Sequence, residues 1–378
     1  IIIVLVGGGL LFQREYGVNL LDKDVEDKKK TKEETNILKG GIFEKYYTKA
    51  NRKLSSMTLE EKVGQLFLVR YNKDDVEYLS NFNPGRYILF EKDFENHTKE
   101  SMKKESDDDQ QLNKYPLIIG VDEEGGTVTR VSRFESFRNE RFKSPKAYYE
   151  EGGLDLLEQT ETEKATLLKE LGINLNLAPV ADVTTNPNDF IYNRSFGFDF
   201  KTTSTLIKKM VDFANKNGIN SCLKHFPGYG NNVDTHTGVA IDNRSYESFV
   251  NNDFLPFKAG IEAKVPSVLV SHNIINALDS EHPASLSSSV IKELRTTLNH
   301  TGIIMTDDLA MDAVKSYVED GKAATLAIQA GNDMIITSDF ISMYKEVLSS
   351  IENGTLKEET INQAALRIIA WKYYSNLF

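Results

Sequence analysis

The segment Lys224–Gly238, KHFPGYGNNVDTHTG, gathers a lysine, two histidines and an aspartate around Pro227, Gly228 and Gly230. Asp234 and His236 stand two residues apart, and in an extended chain such residues face the same way. A carboxylate beside an imidazole accepts its Nδ1 proton, fixes the tautomer and stabilises the imidazolium. That pairing suits proton transfer. Two other readings stay open at this level: a solvated loop with an incidental Asp and His, and a metal site made from His225, Asp234 and His236. No His-x-x-x-His pair or cysteine partner supports the metal.

Asp307 and Asp308 close the apolar run GIIMT and precede LAM. Adjacent residues on a strand point to opposite sides, so one of the two carboxylates can face a site. Asp307 then serves as nucleophile, metal ligand or hydrogen-bond acceptor for a substrate. Asp308 suits the cap of the next helix. Asp122–Gly126, DEEGG, joins an acidic cluster to two glycines that permit close backbone approach to a ligand, with Arg130 following. Acids and arginines converging on one pocket fit a polyhydroxylated ligand, and equally a salt-bridged rim.

Short apolar runs carry these residues. Strands are expected at Leu66–Arg70, Tyr87–Phe90, Leu117–Val121, Leu175–Ala178, Asn220–Lys224, Ser267–Ser271, Ile303–Thr306 and Met334–Thr337. Such near-continuous runs suit strands buried on both faces. Helical patterns lie between them, as over Glu158–Leu171, Thr202–Asn217 and Asp320–Ala330, and Thr58 with Glu61 forms a capping box. Strands alternating with helices predict an α/β chain folded as a (β/α)8 TIM-type barrel. Asp122, Asp182, Lys224–His225, Ser271–His272 and Asp307–Asp308 then ring the mouth where barrel enzymes keep their active sites. The pattern points to an enzyme.

Across 378 residues the formal charge is −11, which argues against sequence-independent nucleic-acid binding. A single cysteine, Cys222, excludes an internal disulfide framework and is expected in the core, as is Trp371. His97, His282 and His300 sit in polar stretches and are expected to be solvated. Residues 1–12, all apolar or glycine, read as an anchor or signal remnant, in a chain that opens on Ile and is expected to lack its true start. Residues 13–50 read as a charged spacer, since Asp22–Thr35 holds Val25 as its one apolar side chain. The catalytic domain is expected over 51–378. An anchor followed by a spacer implies an extracytoplasmic protein, membrane-attached or secreted.

Several motifs together resemble glycoside hydrolase family 3, and within it the bacterial β-N-acetylglucosaminidases. They are Lys224-His225-Phe226-Pro227-Gly228 with Asp234-Thr235-His236, Gly120-Val121-Asp122 with Glu124-Gly125-Gly126, and Thr306-Asp307-Asp308-Leu309. Asn176–Val183 and Asn193–Gly197 extend the likeness, which covers roughly Leu54 to Phe378. The resemblance implies a barrel and retaining hydrolysis through a covalent glycosyl-enzyme. It implies Asp307 as nucleophile and His236, held by Asp234, as acid/base. Asp122, Arg130, Arg194, Lys224 and His225 match positions that hold the N-acetylglucosamine ring, and His272 joins them as a strand-end candidate. The substrate expected is a terminal GlcNAc on peptidoglycan fragments or related β-linked amino sugars, with no metal or cofactor. A β-glucosidase or β-xylosidase, a GlcNAc phosphorylase and a non-catalytic sugar-binding sensor are the alternatives. Tyr229 stands where relatives often carry a histidine, and Thr235 replaces a common serine. A second α/β domain found in many relatives is expected to be absent, so the acid must come from the barrel.

Overall fold

A computed structural model describes residues 39–232, 240–318 and 321–378. The expected anchor, most of the spacer, and both Asp234 and His236 lie outside the described residues.

Eight parallel strands close a barrel: β1 (Phe67–Arg70), β2 (Arg86–Leu89), β3 (Ile118–Val121), β4 (Leu175–Asn176), β5 (Asn220–Phe226), β7 (Ser267–Val270), β9 (Ile303–Asp308) and β10 (Met334–Thr337). Closure comes from β10 pairing with β1, Phe67 opposite Ile335. Two short strands, β6 (Ile241–Asp242) and β8 (Ile274–Ile275), pair with each other outside the barrel. Apolar residues of the barrel strands are buried on both faces, which is why these runs show no polar alternation. The expected runs and the strands agree in place. β5 and β9 run two residues further than expected, to Phe226 and Asp308, so His225, Asp307 and Asp308 also stand on strands.

Helices form the outer layer: α1 (Tyr47–Leu54), α2 (Leu59–Gln65), α3 (Lys99–Leu112), α4 (Pro145–Glu170), α5 (Phe200–Asn217), α6 (Phe254–Glu262), α7 (Ala323–Ala330), α8 (Phe340–Glu352) and α9 (Glu358–Tyr374). Thr58 and Glu61 cap α2 reciprocally, as their spacing predicts. Asp199 accepts the Thr202 N–H to start α5, and Gly218 ends it in the left-handed region. The helix expected from Asp320 is α7, which starts at Ala323. At the strands' N-terminal side, buried Trp371 of α9 donates to Asn220 Oδ1 at 2.7 Å and lies under the Arg86 guanidinium. Its neighbour Lys372 donates to Gln65 at 2.5 Å. This end is a packed floor.

Two expectations need correction. His300 is buried, not solvated: its Nε2 lies 3.1 Å from the Ile303 carbonyl. Burial, then Arg295, pushes its pKa down to about 3, so it stays neutral. The packed chain also begins before residue 51. Phe43, Tyr47 and Ala50 join the main core, Phe43 meets Tyr374 edge-on at 5.4 Å, and Ile42 N–H donates to Thr301. One face of α1 therefore docks on α9, while its lysines and arginine keep the other face wet. Deleting residues 1–38 is expected to leave kcat/KM unchanged. Phe43→Ala empties a closed core position and is expected to cost about 3–5 kcal/mol, read as a lower denaturant midpoint. Deleting residues 1–50 should cost at least as much.

Candidate active site

The C-terminal strand ends build a network of charges around Lys224. Its ammonium, with the side chain only 3% exposed, lies 2.5 Å from Asp122 and 2.6 Å from Glu124 at the end of β3. Glu124 binds Arg194 in two-pronged fashion, Nε at 3.0 Å and Nη2 at 2.7 Å. Arg194 Nη2 reaches His225 Nε2 at 3.1 Å. His225 Nδ1 lies 2.7 Å from Asp182 Oδ2. The tautomer follows: Nδ1–H donates to the carboxylate, and Nε2 accepts from the guanidinium. In a regular strand Lys224 and His225 would point to opposite faces. The register of β5 against β7 shifts between Leu223 and Phe226, and a bulge re-aims side chains. Both residues consequently turn toward the β3 and β4 loops.

Burial would raise the Glu124 carboxyl, but the Lys224 and Arg194 charges outweigh it and hold it well below the carboxylate range. Burial depresses Lys224, yet Asp122 and Glu124 lift it above its ordinary value. Glu124, Lys224 and Arg194 are thus held in their charged forms by one another and by Asp122. Glu123 plays a different part: its carboxylate accepts the backbone N–H groups of Arg130 and Val131, both at 2.7 Å. Asn176, at the end of β4, clasps its backbone N–H and carbonyl. Arg130 is therefore set at the rim, its guanidinium 3.6 Å from Glu91 and over the Phe90 ring, with a buried Nε that has no partner among the described residues. The glycines of DEEGG serve the chain rather than a ligand. A Cβ on Gly125 would come within 2.3 Å of the Lys143 carbonyl oxygen.

Asp307 ends β9 at the same mouth, its Oδ1 accepting the Asp308 N–H at 2.9 Å. Asp308 accepts from Ala310 N–H at 2.9 Å and from Ser338 N–H at 3.2 Å, so it ties the turn after β9 to the end of β10 rather than capping the next helix, which starts at Asp312. Burial, and then the Asp307 charge, raise its carboxyl. His272 departs from its expected role as a ligand contact. It is wholly buried, Nδ1 facing the Ser285 hydroxyl at 2.7 Å and Nε2 the Asp308 carbonyl at 3.0 Å. Its place is behind Asp307 and Asp308, as a brace. Tyr229 is buried as well, edge-on to His225 at 5.1 Å, and its N–H donates to Asp182 Oδ1 at 2.7 Å.

The fold thus brings together Asp122, Lys224, Arg194 and His225, with Asp307 and Arg130 on the same rim. Glu124 and Asp182 complete the cluster without having been singled out as ligands, although both stand in strand-end motifs. Among the described residues no group of three His, Cys, Asp or Glu could hold a metal ion. The mouth is lined by charged donors and acceptors suited to bind hydroxyl and amide groups.

Comparison with known proteins finds likenesses over most of the chain. Residues 58–371 match the glycosyl hydrolase family 3 N-terminal domain. A β-hexosaminidase from Glaesserella parasuis is 32% identical over 310 residues, covering 79% of this chain and 87% of that protein. An uncharacterised secreted glycosyl hydrolase from Arthroderma benhamiae is 30% identical over 68% of this chain and 75% of that one. The solved family 3 β-N-acetylglucosaminidase of Paenibacillus sp. superimposes with a TM-score of 0.79 at 28% identity over 85% of this chain. The chain spans 63% of that enzyme's length.

Glu124 generates a stability prediction. Its folded pKa lies below its unfolded value, so its contribution is present above about 4.3 and is lost as pH falls below that toward the folded value. Glu124→Gln is expected to flatten the fall of Tm between pH 5 and pH 3. Glu124→Ala leaves two buried cations short of a partner and should cost about 3–5 kcal/mol, measured by denaturant unfolding at pH 7.

Proposed function

The chain belongs to glycosyl hydrolase family 3 and is a glycoside hydrolase, and we propose that it is an exo-acting, retaining β-N-acetylglucosaminidase. The observation that carries the reading is how the carboxylates at the mouth are committed. Glu124 is pinned by Lys224 and Arg194, Asp182 by His225 and Tyr229, Glu123 by backbone, and Asp122 by Lys224. Asp308 is held by two backbone N–H groups. Carboxylates kept ionised by cations are poor proton donors. Asp307, matched by the Thr306-Asp307-Asp308-Leu309 motif and standing at the mouth on β9, is read as the nucleophile, and the proton as coming from a group other than these cation-bound carboxylates. Asp234 and His236 meet that need.

In the first step the Asp307 carboxylate attacks C1 and the glycosidic C1–O bond breaks. The leaving oxygen takes the proton of the His236 imidazolium, and a glycosyl ester remains. In the second step neutral His236 takes a proton from water, whose oxygen attacks C1 and frees Asp307. Asp122, Arg130, Arg194, Lys224 and His225 hold the sugar ring, with the Arg130 Nε as a donor offered to it. The relatives named β-hexosaminidase favour an N-acetylated sugar. Peptidoglycan fragments are the substrate class proposed, and an extracytoplasmic site of action accords with the secreted relative. No helix among the described residues is long and apolar enough to cross a membrane.

A panel of p-nitrophenyl sugars, with and without phosphate, tests the reading. β-N-acetylglucosaminide should be hydrolysed with kcat/KM at least about 100-fold above the glucoside, since groups bonding the acetamido would otherwise be left unpaired. Equal rates would move the assignment to a β-glucosidase, and phosphate-dependent release of a sugar 1-phosphate to a phosphorylase. Asp307→Gly should lose about 10³-fold or more in kcat and regain turnover with azide. Asp308→Asn should lose less. Equal losses without azide rescue would remove Asp307 from the nucleophile role.

A further inference from the structure

Asp234 and His236 are carried between two described stretches, so whatever joins those stretches governs the segment's two ends. The incoming stretch, Gly228–Asn232, leaves β5 and is held at Tyr229 by Asp182. The outgoing stretch, Ala240–Arg244, includes β6, which pairs with β8 and accepts the Ile274 N–H at Ala240. Arg244 joins the two. Its Nε and Nη2 meet Asp242 Oδ2 at 3.0 and 2.7 Å, and its Nη1 meets both oxygens of Asp253 at 2.9 and 2.8 Å. Nη2 also donates to the Gly228 carbonyl at 3.1 Å, across to the incoming stretch. Asn232 completes the crossing by donating to Asp242 Oδ2 at 2.6 Å. Beneath the guanidinium lies the Phe249 ring, 4.5 Å away.

The glycines of Pro227-Gly228-Tyr229-Gly230 acquire a reason here. A Cβ on Gly230 would sit 2.6 Å from Arg244 Cζ, and one on Gly228 would sit 2.6 Å from Asp253 Oδ1. Both have positive φ, +55° and +117°, which side chains resist. The turn is shaped around the arginine and its carboxylate. Asp242 and Asp253 have side chains 2% and 1% exposed, so two buried carboxylates depend on this one cation. A lysine supplies charge but not the planar fork that serves two carboxylates and a carbonyl together.

We propose that Arg244 is a positioning residue for proton transfer, fixing both ends of the segment that carries Asp234 and His236. It touches neither substrate nor reacting atoms. The proposal rests on the reading of His236 as acid/base. It explains why an Asp-x-Arg triplet follows the dyad and why the preceding turn needs two glycines.

The test is a leaving-group series on the full chain, comparing Arg244→Lys, Asn232→Ala, His236→Ala and the Arg244→Lys/His236→Ala double variant. Poor leaving groups need protonation and activated aryl groups do not. Arg244→Lys should lose about 10–100-fold in kcat on a disaccharide, with little change on a dinitrophenyl glycoside or in KM. His236→Ala should show the same pattern more steeply, and the double variant should lose no more than His236→Ala, because both act on one step. Asn232→Ala, which keeps both carboxylates paired, should shift in the same direction by less and carries the test if Arg244→Lys fails to fold. A steep His236→Ala response with uniform loss in Arg244→Lys and Asn232→Ala, or full additivity, overturns the role of Arg244 alone. A flat His236→Ala response overturns the acid/base reading and this role with it.

Discussion

Lys224 carries a positive charge in a place that water barely reaches, and most of the mouth is arranged to keep it there. A buried ammonium is costly unless paired and fully hydrogen-bonded. Asp122 and Glu124 supply that pairing from the end of β3, across the barrel from β5 in sequence but two strands away in space. Two carboxylates on one lysine leave an excess of negative charge, which Arg194 offsets through Glu124. Arg194 then has a donor directed at His225, and Asp182 orients that ring from the other side. Each group is fixed by the one before it. The ligand-facing surface is the outcome of satisfying a single buried cation.

Asp182 links this network to the other half of the chemistry. One of its oxygens serves His225 and the other accepts the Tyr229 N–H, at the start of the stretch that leads to Asp234. The Lys224–His225 network and the turn that follows it therefore share a carboxylate. Substitutions in the two regions are expected to couple rather than add, since residues in one hydrogen-bond network rarely act independently. Arg244 supplies the second attachment, so the segment is tied on one side to β4 and on the other to the loop beyond β7.

Much of this was legible in the sequence because parallel barrel strands are buried on both faces and announce themselves as apolar runs. The polar residue that ends each run was legible too, as a mouth. Partners were not. DEEGG offers three acids of similar type, and which two of them meet a cation is decided by Lys224, 102 residues from Asp122. Glu124 and Asp182 therefore escaped selection while Asp122 did not. His272 looked like a ligand contact because it follows a strand, but Ser285 and the Asp308 carbonyl claim its nitrogens. Phe43–Ala50 hid because one thin apolar stripe among lysines is all that docks on α9. His300 was misjudged for the same reason: its polar neighbours in sequence face away while its ring turns inward to β9.

The acidity of the mouth also bears on why an imidazole suits the proposed proton-transfer role. A histidine gains charge on protonation, whereas a carboxylic acid loses it. A neighbouring ionised carboxylate favours an imidazolium by attraction, so an imidazole acid can be kept protonated without burial. Where that carboxylate is the nucleophile, its conversion to a neutral ester removes the attraction and the imidazole becomes a weaker acid-holder, ready to take a proton from water. A carboxyl acid would cycle in the same direction, but it would need desolvation or repulsion to stay protonated. Both are hard to arrange where Lys224, Arg194 and Arg130 converge, because those cations pull carboxyls toward ionisation, as Glu124 demonstrates. A cationic acid is repelled by the same arginines, so it calls for a carboxylate of its own beside it. Asp234, two residues from His236, answers that requirement.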